Sequence, residues 1–374
     1  MQNGESGGAP DSETVLLHIF PSFSYGGQQA RLAALARGLG DGFHHLIVSL
    51  DGDLAARALF DADANAAFST YRMEKSGSIS VTNILGLRKI IKSAQPDVLC
   101  TYNWGSIEAI IANNLGAKAN HVHFEDGFGP DETLKKQFSK RMLVRRMLLH
   151  KSKVIVPSHG LADVAVTNWG LKPAQILRIA NGVDFEKLQG GIRGHNAAVV
   201  VGSLGALRPE KNYGRLIKAF IAADRDHRGL LELVGGGPER ARLAAIADAD
   251  ARVTLLGATP TPADAYARFD VFALSSDTEQ APISLMEAMA AGLPVVATNV
   301  GEIADMVAGE NLPFITQLGD DEAYAHALAQ LLQNPTARAE IGAANRRKAK
   351  DAFSLEHMVA QYRALFASMA MRDD

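Results

Sequence analysis

The chain has 374 residues, of which 47% are hydrophobic and 21% charged, and its formal net charge is −3. This composition is typical of globular proteins, and the length predicts two domains. The charge balance argues against a nucleic-acid binder, and the single cysteine, Cys100, excludes an internal disulfide framework and a multi-cysteine metal site.

The N-terminus lacks the features of a targeting segment. Residues 1–12 have no basic start and no apolar run, so we expect a disordered N-terminus and no signal peptide. No uninterrupted apolar stretch reaches the roughly 18 residues that a membrane-spanning helix requires. These features predict a cytoplasmic protein.

Short apolar and β-branched runs alternate with helical patterns along the whole chain, which predicts parallel strands joined by crossover helices. Cys100 lies in one such run and is expected to be a buried strand residue and no nucleophile. The first set of predicted strands covers 14–20, 45–50, 67–70, 97–102, 121–125, 153–158 and 176–181. The second set covers 197–204, 230–235, 252–257, 271–276, 293–298 and 313–316.

The stretch between the two sets, 182–196, loses periodicity and gains glycine, so we interpret it as containing the linker between two domains. The predicted organisation is an α/β Rossmann-like domain at 13–185, a linker at 186–196, a second such domain at 197–355, and a terminal helix at 356–374. The sequence leaves open whether this helix packs on the first domain. Open α/β sheets bind ligands at the carboxyl ends of their strands, so a cleft between two facing sheets is the expected site.

Two glutamates flank a predicted helix that begins at Pro282 and ends before Gly292. Glu287 is the only charged residue between positions 281 and 298. Burying its carboxylate is costly unless hydrogen bonds satisfy it, and a ligand diol such as a ribose, an internal arginine or a backbone turn would do so. Glu279, in the loop before the helix, is either a solvated acid or a site residue.

Glycine-rich loops in both halves precede predicted helices. In the second half Arg208 and Lys211 follow such a loop, which suits a diphosphate, although two surface cations would give the same pattern. The turn at Gly235 either admits a flat ligand or is simply tight. In the first half, Gly26 and Gly27 before a helix favour an anion site. No Gly-x-Gly-x-x-Gly motif is present, which argues against a dinucleotide-dependent oxidoreductase.

These stretches together resemble the family four retaining glycosyltransferases of the GT-B fold. The likeness is strongest in "GSLGALRPEKN", "VGGGPER", "TLLGATP" and "EQAPISLMEAMAAGLPVVATNVGEIADMV", which is similar to the family's Glu-x7-Glu signature. It extends to "YGGQQA", "HVHFEDG", "VPSHGLADV" and "IANGVD", and so covers almost the whole chain.

The resemblance implies a nucleotide-sugar donor site, mostly on the second domain. Arg208 and Lys211 would hold the diphosphate, Glu287 the ribose hydroxyls, and Glu279 the donor sugar. Gly27 would close over the phosphates from the first domain. The implied donor-binding set is Gly26, Gly27, Gly205, Arg208, Lys211, Gly235, Leu256, Glu279, Ala281, Pro282, Ile283, Ser284 and Glu287.

His123 aligns with a family histidine near the sugar and the acceptor, and it completes an implied catalytic set with Glu279, Arg208 and Lys211. Glu125 and Asp126 beside it are expected to meet the acceptor, and either would serve as a general base. The family pattern implies no metal, no cofactor and no protein nucleophile. We interpret the Asp-Gly-Asp sequence at 51–53 as an ordinary loop. Gln280 and Ala281 replace the usual Gly-aromatic pair, which leaves the sugar unidentified.

The segment 135–153 carries eight Lys or Arg residues among Leu, Met, Val and Phe. It predicts a basic amphipathic helix that docks on anionic lipid, or a solvated helix with its apolar stripe in the core. The function expected is transfer of a sugar from a nucleoside-diphosphate sugar to a glycan or polyprenyl-linked acceptor, on the inner face of the cell membrane if the helix docks. The alternatives are a 2-epimerase-like isomerase of the same fold and a non-catalytic nucleotide-sugar binder.

Overall fold

The computed structural model describes residues 13–74, 79–127, 137–188, 198–224 and 229–370. Residues 1–12, positions 189–196 of the predicted linker, Lys135 and Lys136 of the basic segment, and the last four residues lie outside these ranges. The chain forms two compact units, 1–179 with 356–374, and 180–355. The first unit is therefore built from two separate stretches of sequence.

The first unit contains a seven-stranded sheet in the order β3-β2-β1-β4-β5-β6-β7, in which every described pairing is parallel. The central strands are almost continuous runs of buried residues, as is usual when helices cover both faces. The strands are β1 (Thr14–Phe20), β2 (Phe43–Ser49), β3 (Ala66–Thr70), β4 (Val98–Tyr102), β5 (Asn120–Phe124), β6 (Lys153–Val156) and β7 (Ile176–Arg178).

Helices cover both faces of this sheet. Right-handed crossovers require the helix between β1 and β2 to lie on one face and the helices after β3 to lie on the other. The terminal helix joins the first of these, since Tyr362 stacks on Phe124 and Phe366 contacts Phe43. The helices are α1 (Gly27–Leu39), α2 (Val81–Ala94), α3 (Ile107–Ala112), α4 (Ser139–Leu148), α5 (His159–Thr167) and, from the end of the chain, α13 (Leu355–Ala370).

The second unit repeats the plan with a six-stranded parallel sheet in the order β10-β9-β8-β11-β12-β13. Its strands are β8 (Val199–Leu204), β9 (Gly229–Val234), β10 (Val253–Gly257), β11 (Val271–Leu274), β12 (Val295–Thr298) and β13 (Ile315–Thr316). Its helices are α6 (Tyr213–Ala223), α7 (Arg240–Ala247), α8 (Pro262–Arg268), α9 (Ile283–Ala290), α10 (Ile303–Met306), α11 (Asp321–Gln333) and α12 (Pro335–Ala352).

The predicted α/β class with two parallel sheets is confirmed, and each predicted strand has a counterpart. Cys100 is fully buried in β4, where burial raises the pKa of its thiol. The predicted strand at 271–276 is shorter than expected and ends at Leu274, because the next two serines turn away to form loop hydrogen bonds. In the parts of the chain that the structure describes, no helix is long and apolar enough to cross a membrane.

Candidate functional site

The strand order reverses between β8 and β11 in the second unit, and doubly wound sheets bind ligands at the carboxyl ends of the strands beside such a reversal. The loop after β8 carries Arg208 and Lys211, and the loop after β11 carries Glu279. The topology therefore brings together three residues that the sequence analysis selected from stretches about 70 positions apart.

A network of hydrogen bonds fastens these two loops. The Ser275 hydroxyl lies 3.0 Å from the carbonyl oxygens of both Lys211 and Asn212, and the Asp277 amide donates to the Glu210 carbonyl at 2.8 Å. Arg215 binds the Ser275 carbonyl at 2.8 Å and the Asp277 carboxylate at 2.7 Å. The backbone that carries Lys211 is thus fixed by contacts that the sequence analysis did not identify.

Lys211 and Glu279 contact each other directly. The Lys211 ammonium lies 2.5 Å from Glu279 Oε1, and the Ser276 hydroxyl donates to the same oxygen at 2.7 Å. Arg208 points outward with 60% of its side chain exposed, and its guanidinium lies 4.0 Å from Glu210. One predicted phosphate-binding cation is therefore held in a partly buried ion pair, and the other is accessible to solvent.

The glycine-rich loops after β8 and β9 lie in backbone contact. A Cβ at Gly235, whose φ is +157°, would lie 1.8 Å from the Gly205 carbonyl oxygen. The Leu207 amide donates to the Gly236 carbonyl at 2.8 Å. These glycines are required for a close approach between loops, so the tight-turn interpretation explains Gly235 without a ligand. Leu256, near the end of β10, is half exposed.

Helix α9 supplies the amides and the second glutamate. Pro282 is the residue that caps α9 rather than its first helical residue, and the structure corrects the prediction by one position. The amides of Ile283 and Ser284 stand in the first turn, where an α-helix offers them no internal acceptor. Ala281, Ile283 and Ser284 are each partly exposed, so this helix end is accessible.

Glu287, one turn further along α9, has an internal partner that the sequence analysis missed. The buried Tyr266 on α8 donates its hydroxyl hydrogen to Glu287 Oε2 at 2.7 Å, and this hydroxyl also lies 3.2 Å from the Ser284 carbonyl. Within the described residues, Glu287 Oε1 has no hydrogen-bond partner. Burial raises the pKa of Glu287 to about 7, and the tyrosine hydrogen bond opposes this rise.

Gly301 packs against the backbone of the loop that carries Glu279. Its φ is +59°, and a Cβ there would lie 2.3 Å from the Glu279 carbonyl oxygen. The amide of the next residue, Glu302, donates to the Gln280 carbonyl at 3.0 Å. The backbone at Gly301 is left-handed and lies against the loop containing Gln280 and Ala281, and only glycine adopts this conformation and this close contact without strain.

In the first unit, Asp126 connects the end of β5 to the start of α1. Arg31 makes a two-pronged ion pair with its carboxylate, with one contact at 2.7 Å, and Gln28 donates to it at 2.5 Å. Burial alone would lower the pKa of Arg31, but the charge of Asp126, its hydrogen bonding to Arg31 and the nearby Tyr362 and Tyr102 together outweigh burial, and the net shift is upward. Because α1 begins at Gly27, with Gly26 as its cap, Asp126 brings the glycine pair near the end of β5.

Glu125 lies inside the unit. It is almost fully buried, and Arg145 of α4 donates to its Oε2 at 3.2 Å. Its Oε1 is buried and has no hydrogen-bond partner among the residues that the structure describes. His123 is equally buried, with Nδ1 2.8 Å from the Thr101 hydroxyl and Nε2 3.6 Å from Glu125. Glu125 and Asp126 are thus both neutralised by arginines, and their predicted contact with an acceptor stays a prediction.

Helix α4 has features of both interpretations of the basic segment, and its docking on lipid stays a prediction. The core side contains Arg145, packed against the rings of Trp104 and Trp169, whereas Leu143 and Met147 are exposed. Met142, Val144 and Leu148 pack against the buried cluster of the first unit, so the described part of this helix also has apolar side chains toward the core. Arg145 faces inward because the buried carboxylate of Glu125 requires a cation from the helix packed over it.

The Asp-Gly-Asp sequence uses its carboxylates within its own loop. Asp51 accepts from the Ser49 hydroxyl and the Asp53 amide, both at 2.9 Å, and Asp53 accepts from the Ala55 amide at 2.8 Å. Across the described ranges, no cluster of three or more His, Cys, Asp or Glu side chains is arranged to hold a metal ion.

Two family models match the chain, one in each half. Residues 25–187 match "Glycosyltransferase Family 4", and residues 198–334 match "Glycosyl transferases group 1". The boundary between the matches lies near the boundary between the two structural units. The two halves therefore have separate similarities to glycosyltransferases.

Curated relatives are similar over parts of their length. N-acetyl-alpha-D-glucosaminyl L-malate synthase of Bacillus anthracis is 28% identical over 45% of this chain and 44% of its own. D-inositol 3-phosphate glycosyltransferase of Rhodococcus jostii is 28% identical over 71% of this chain and 62% of its own length. UDP-Gal:alpha-D-GlcNAc-diphosphoundecaprenol alpha-1,3-galactosyltransferase of Escherichia coli is 24% identical over 67% of this chain and 70% of its own length. The chain covers less than two thirds of the first two.

Solved structures share the fold. Anabaena HepE, in complex with UDP and glucose, has a TM-score of 0.79 and 20% identity over 95% of this chain and all of its own. Sucrose-phosphate synthase from Thermosynechococcus elongatus has a TM-score of 0.75 and 20% identity over 94% of this chain and 99% of its own. These neighbours confirm the GT-B fold class. The similarity to glycosyltransferases rests on the two family matches and not on these neighbours.

Proposed function

We propose that this chain is a retaining glycosyltransferase that moves a sugar from a nucleoside-diphosphate sugar to a hydroxyl of a glycan or lipid-linked acceptor. The observation that carries the proposal is the carboxylate of Glu287. One oxygen is held by the buried Tyr266, and the other is open on the helix whose first amides follow Glu279. Because the Glu287 side chain is partly exposed, the hydroxyls of a ribose diol would be able to donate hydrogen bonds to that oxygen.

The diphosphate would lie beside Lys211, Arg208 and the first amides of α9. In the transfer, the bond between the anomeric carbon and the donor phosphate oxygen breaks, and a bond from that carbon to the acceptor oxygen forms on the same face. The acceptor proton passes to the departing phosphate oxygen. The cations and amides stabilise the negative charge that develops on the leaving diphosphate.

Lys211 and Glu279 would exchange partners when the donor binds. In the absence of donor they neutralise each other at 2.5 Å. A diphosphate brings more negative charge than one carboxylate, so Lys211 turns to the phosphates. Glu279, still held by Ser276, then accepts hydrogen bonds from the donor sugar's hydroxyls.

The acceptor would meet the first unit near His123. We assign Glu125 and Asp126 to this side, and their ion pairs with Arg145 and Arg31 keep both carboxylates in place. We assign Gly26 and Gly27 to the donor on the resemblance alone; within the first unit, Asp126 ties the start of α1 to the end of β5.

Arginine, lysine and helix amides would supply the positive charge that a divalent ion supplies in other transferases, so we propose a reaction without metal or cofactor. We place the enzyme at the cytoplasmic face of the membrane, in the synthesis of a bacterial surface polysaccharide or glycoconjugate, with α4 docking on anionic lipid. Similarity to a transferase whose name specifies a diphosphoundecaprenol acceptor supports this assignment.

A donor screen tests the proposal. Thermal shifts are measured with UDP-, GDP-, ADP- and TDP-sugars, with UDP-sugars first because the names of two relatives contain UDP. A cognate donor at 100 times its dissociation constant stabilises the fold by about 2.7 kcal/mol. Release of the nucleoside diphosphate is then followed with and without EDTA. If no nucleotide sugar shifts the transition, the proposal fails.

A further inference from the structure

The described residues of the first unit expose an unusual number of large apolar side chains on one side. Of the thirteen large hydrophobic side chains exposed in the described part of the chain, seven lie on or next to α2, α4 and the turn after α3. Five of them are 57% to 71% exposed. They are Val81, Leu85, Leu115, Leu143 and Met147.

These elements are neighbours on one face of the first sheet. Strand order and right-handed crossovers put α2, α3 and α4 in sequence on the face away from α1. The turn after α3 joins the outer two, since the Asn114 amide donates to the Leu148 carbonyl at 3.4 Å and Gly116 packs under Arg88 of α2. We call residues 79–95, 113–120 and 137–153 the α2–α4 surface.

The α2–α4 surface is basic and free of acids. Its three segments contain no Asp or Glu, whereas the whole chain has more acidic than basic residues. Its exposed cations include Lys89, Lys92, Lys118, Lys140 and Arg146. Cations alternating with exposed apolar side chains are what an anionic bilayer binds, because the cations meet headgroups and the apolar side chains enter the interface.

We infer that the whole α2–α4 surface, and not α4 alone, is the membrane-docking surface of this protein, and that its partner is an anionic lipid bilayer. The inference extends the membrane assignment of the proposed function, on which it rests. It adds α2 and the Leu115 turn, which the basic segment in the sequence does not include. On helix α4, docking through this surface accounts for the exposure of Leu143 and Met147.

Co-sedimentation with vesicles tests each helix separately. The full chain is mixed with vesicles of phosphatidylcholine containing phosphatidylglycerol, and with phosphatidylcholine alone. We expect binding to the anionic vesicles only. Lys89→Glu with Lys92→Glu on α2, and Lys140→Glu with Arg146→Glu on α4, should each lower the bound fraction about ten-fold or more.

A charge-matched control is available in the second unit. Lys218→Glu with Lys350→Glu changes two exposed cations by the same total charge and should leave binding within two-fold of wild type. Leu85→Gln with Met147→Gln should weaken binding that persists at high salt, because it removes apolar contact and no charge. Thermal unfolding of each variant shows that it is folded.

The outcomes separate the inference from the proposed function. If the α4 pair releases the protein and the α2 pair does not, the inference is overturned and docking through α4 stands. If the control pair weakens binding as much as the α2 pair, the attraction is non-specific and the inference is overturned as well. If no variant changes sedimentation while the donor screen succeeds, docking through the α2–α4 surface is wrong and sugar transfer stands.

Discussion

Tyr266 holds one oxygen of Glu287 at 2.7 Å from inside the second unit and leaves the other oxygen open. We regard the tyrosine as a positioning residue for the carboxylate that we propose binds the ribose. Tyr266→Phe removes this bond, so Glu287 should rotate more freely, and affinity for a nucleoside diphosphate should fall about three- to ten-fold with turnover at saturation nearly unchanged. Calorimetry and steady-state kinetics measure the two effects.

A matched control exists for that substitution. Tyr324 is another fully buried tyrosine of the same unit, and its hydroxyl has no hydrogen-bond partner in the described part of the chain. Tyr324→Phe should leave nucleotide affinity unchanged and not reduce stability. Equal affinity of Tyr266→Phe and wild-type protein would contradict the positioning role.

Glu287→Gln should stabilise the fold at alkaline pH while weakening donor binding. The pKa of Glu287 is raised from 4.5 to about 7, so the folded state holds a proton that the unfolded state releases between these values. Stability from this group is fully present below pH 4.5 and is lost as the pH rises through 7. The neutral variant should gain roughly 1–3 kcal/mol at pH 8 and little at pH 4.5. Urea unfolding at both pH values is the measurement, with the exposed Glu310→Gln as control.

Lys211→Ala should reduce turnover by about 100-fold or more, because one donor to the developing charge is lost. The fold should lose under about 2 kcal/mol, since Ser276 still binds Glu279. Initial rates of donor turnover and thermal unfolding are measured in parallel. Lys218→Ala, on the exposed side of α6, is the control, and near wild-type turnover in Lys211→Ala would remove our phosphate assignment.

Arg145→Met should destabilise the first unit by about 3–5 kcal/mol, because it leaves Glu125 buried without a counter-charge. Adding Glu125→Leu should recover most of this loss. Arg146→Met, at the exposed neighbouring position, should change stability by less than about 0.5 kcal/mol. Chemical denaturation measures the free energy of unfolding of the wild type, the two single variants and the double variant. A similar loss of stability for Arg145→Met and Arg146→Met would contradict a stabilising role for the buried ion pair.

Acid should destabilise the first unit through its buried histidines. Burial, aided by a neighbouring histidine, lowers the pKa of His45 to about 4 and that of His121 to about 3. Between these values and about 6.5, the unfolded chain binds protons that the folded state excludes, so stability falls as the pH falls. Each histidine contributes up to about 1.4 kcal/mol per pH unit. His121→Gln should flatten the loss between pH 6.5 and 5, and His150→Gln, at an exposed site, should not.

The sequence was sufficient for the strands, because hydrophobic periodicity and glycine punctuation reflect local physics. It also selected Lys211, Glu279 and Glu287, whose roles in donor binding stay predictions. It did not identify Tyr266, Ser276 or Arg215, since each acts on a residue distant in sequence and has no local signature. The inward direction of Arg145 was also not predictable. It depends on the buried Glu125 of a different strand, whereas helical periodicity assigns cations to solvent.

The chain leaves the first unit at residue 179 and returns to it for α13, which has a practical effect on how the protein is divided. Expressing 13–179 alone would leave Phe43 and Phe124 without the aromatic rings of Phe366 and Tyr362. Such a fragment would carry an uncovered apolar surface and be prone to aggregate. A genetic excision that keeps 356–370 and replaces 180–355 with a short flexible connector is the better route to an isolated first domain.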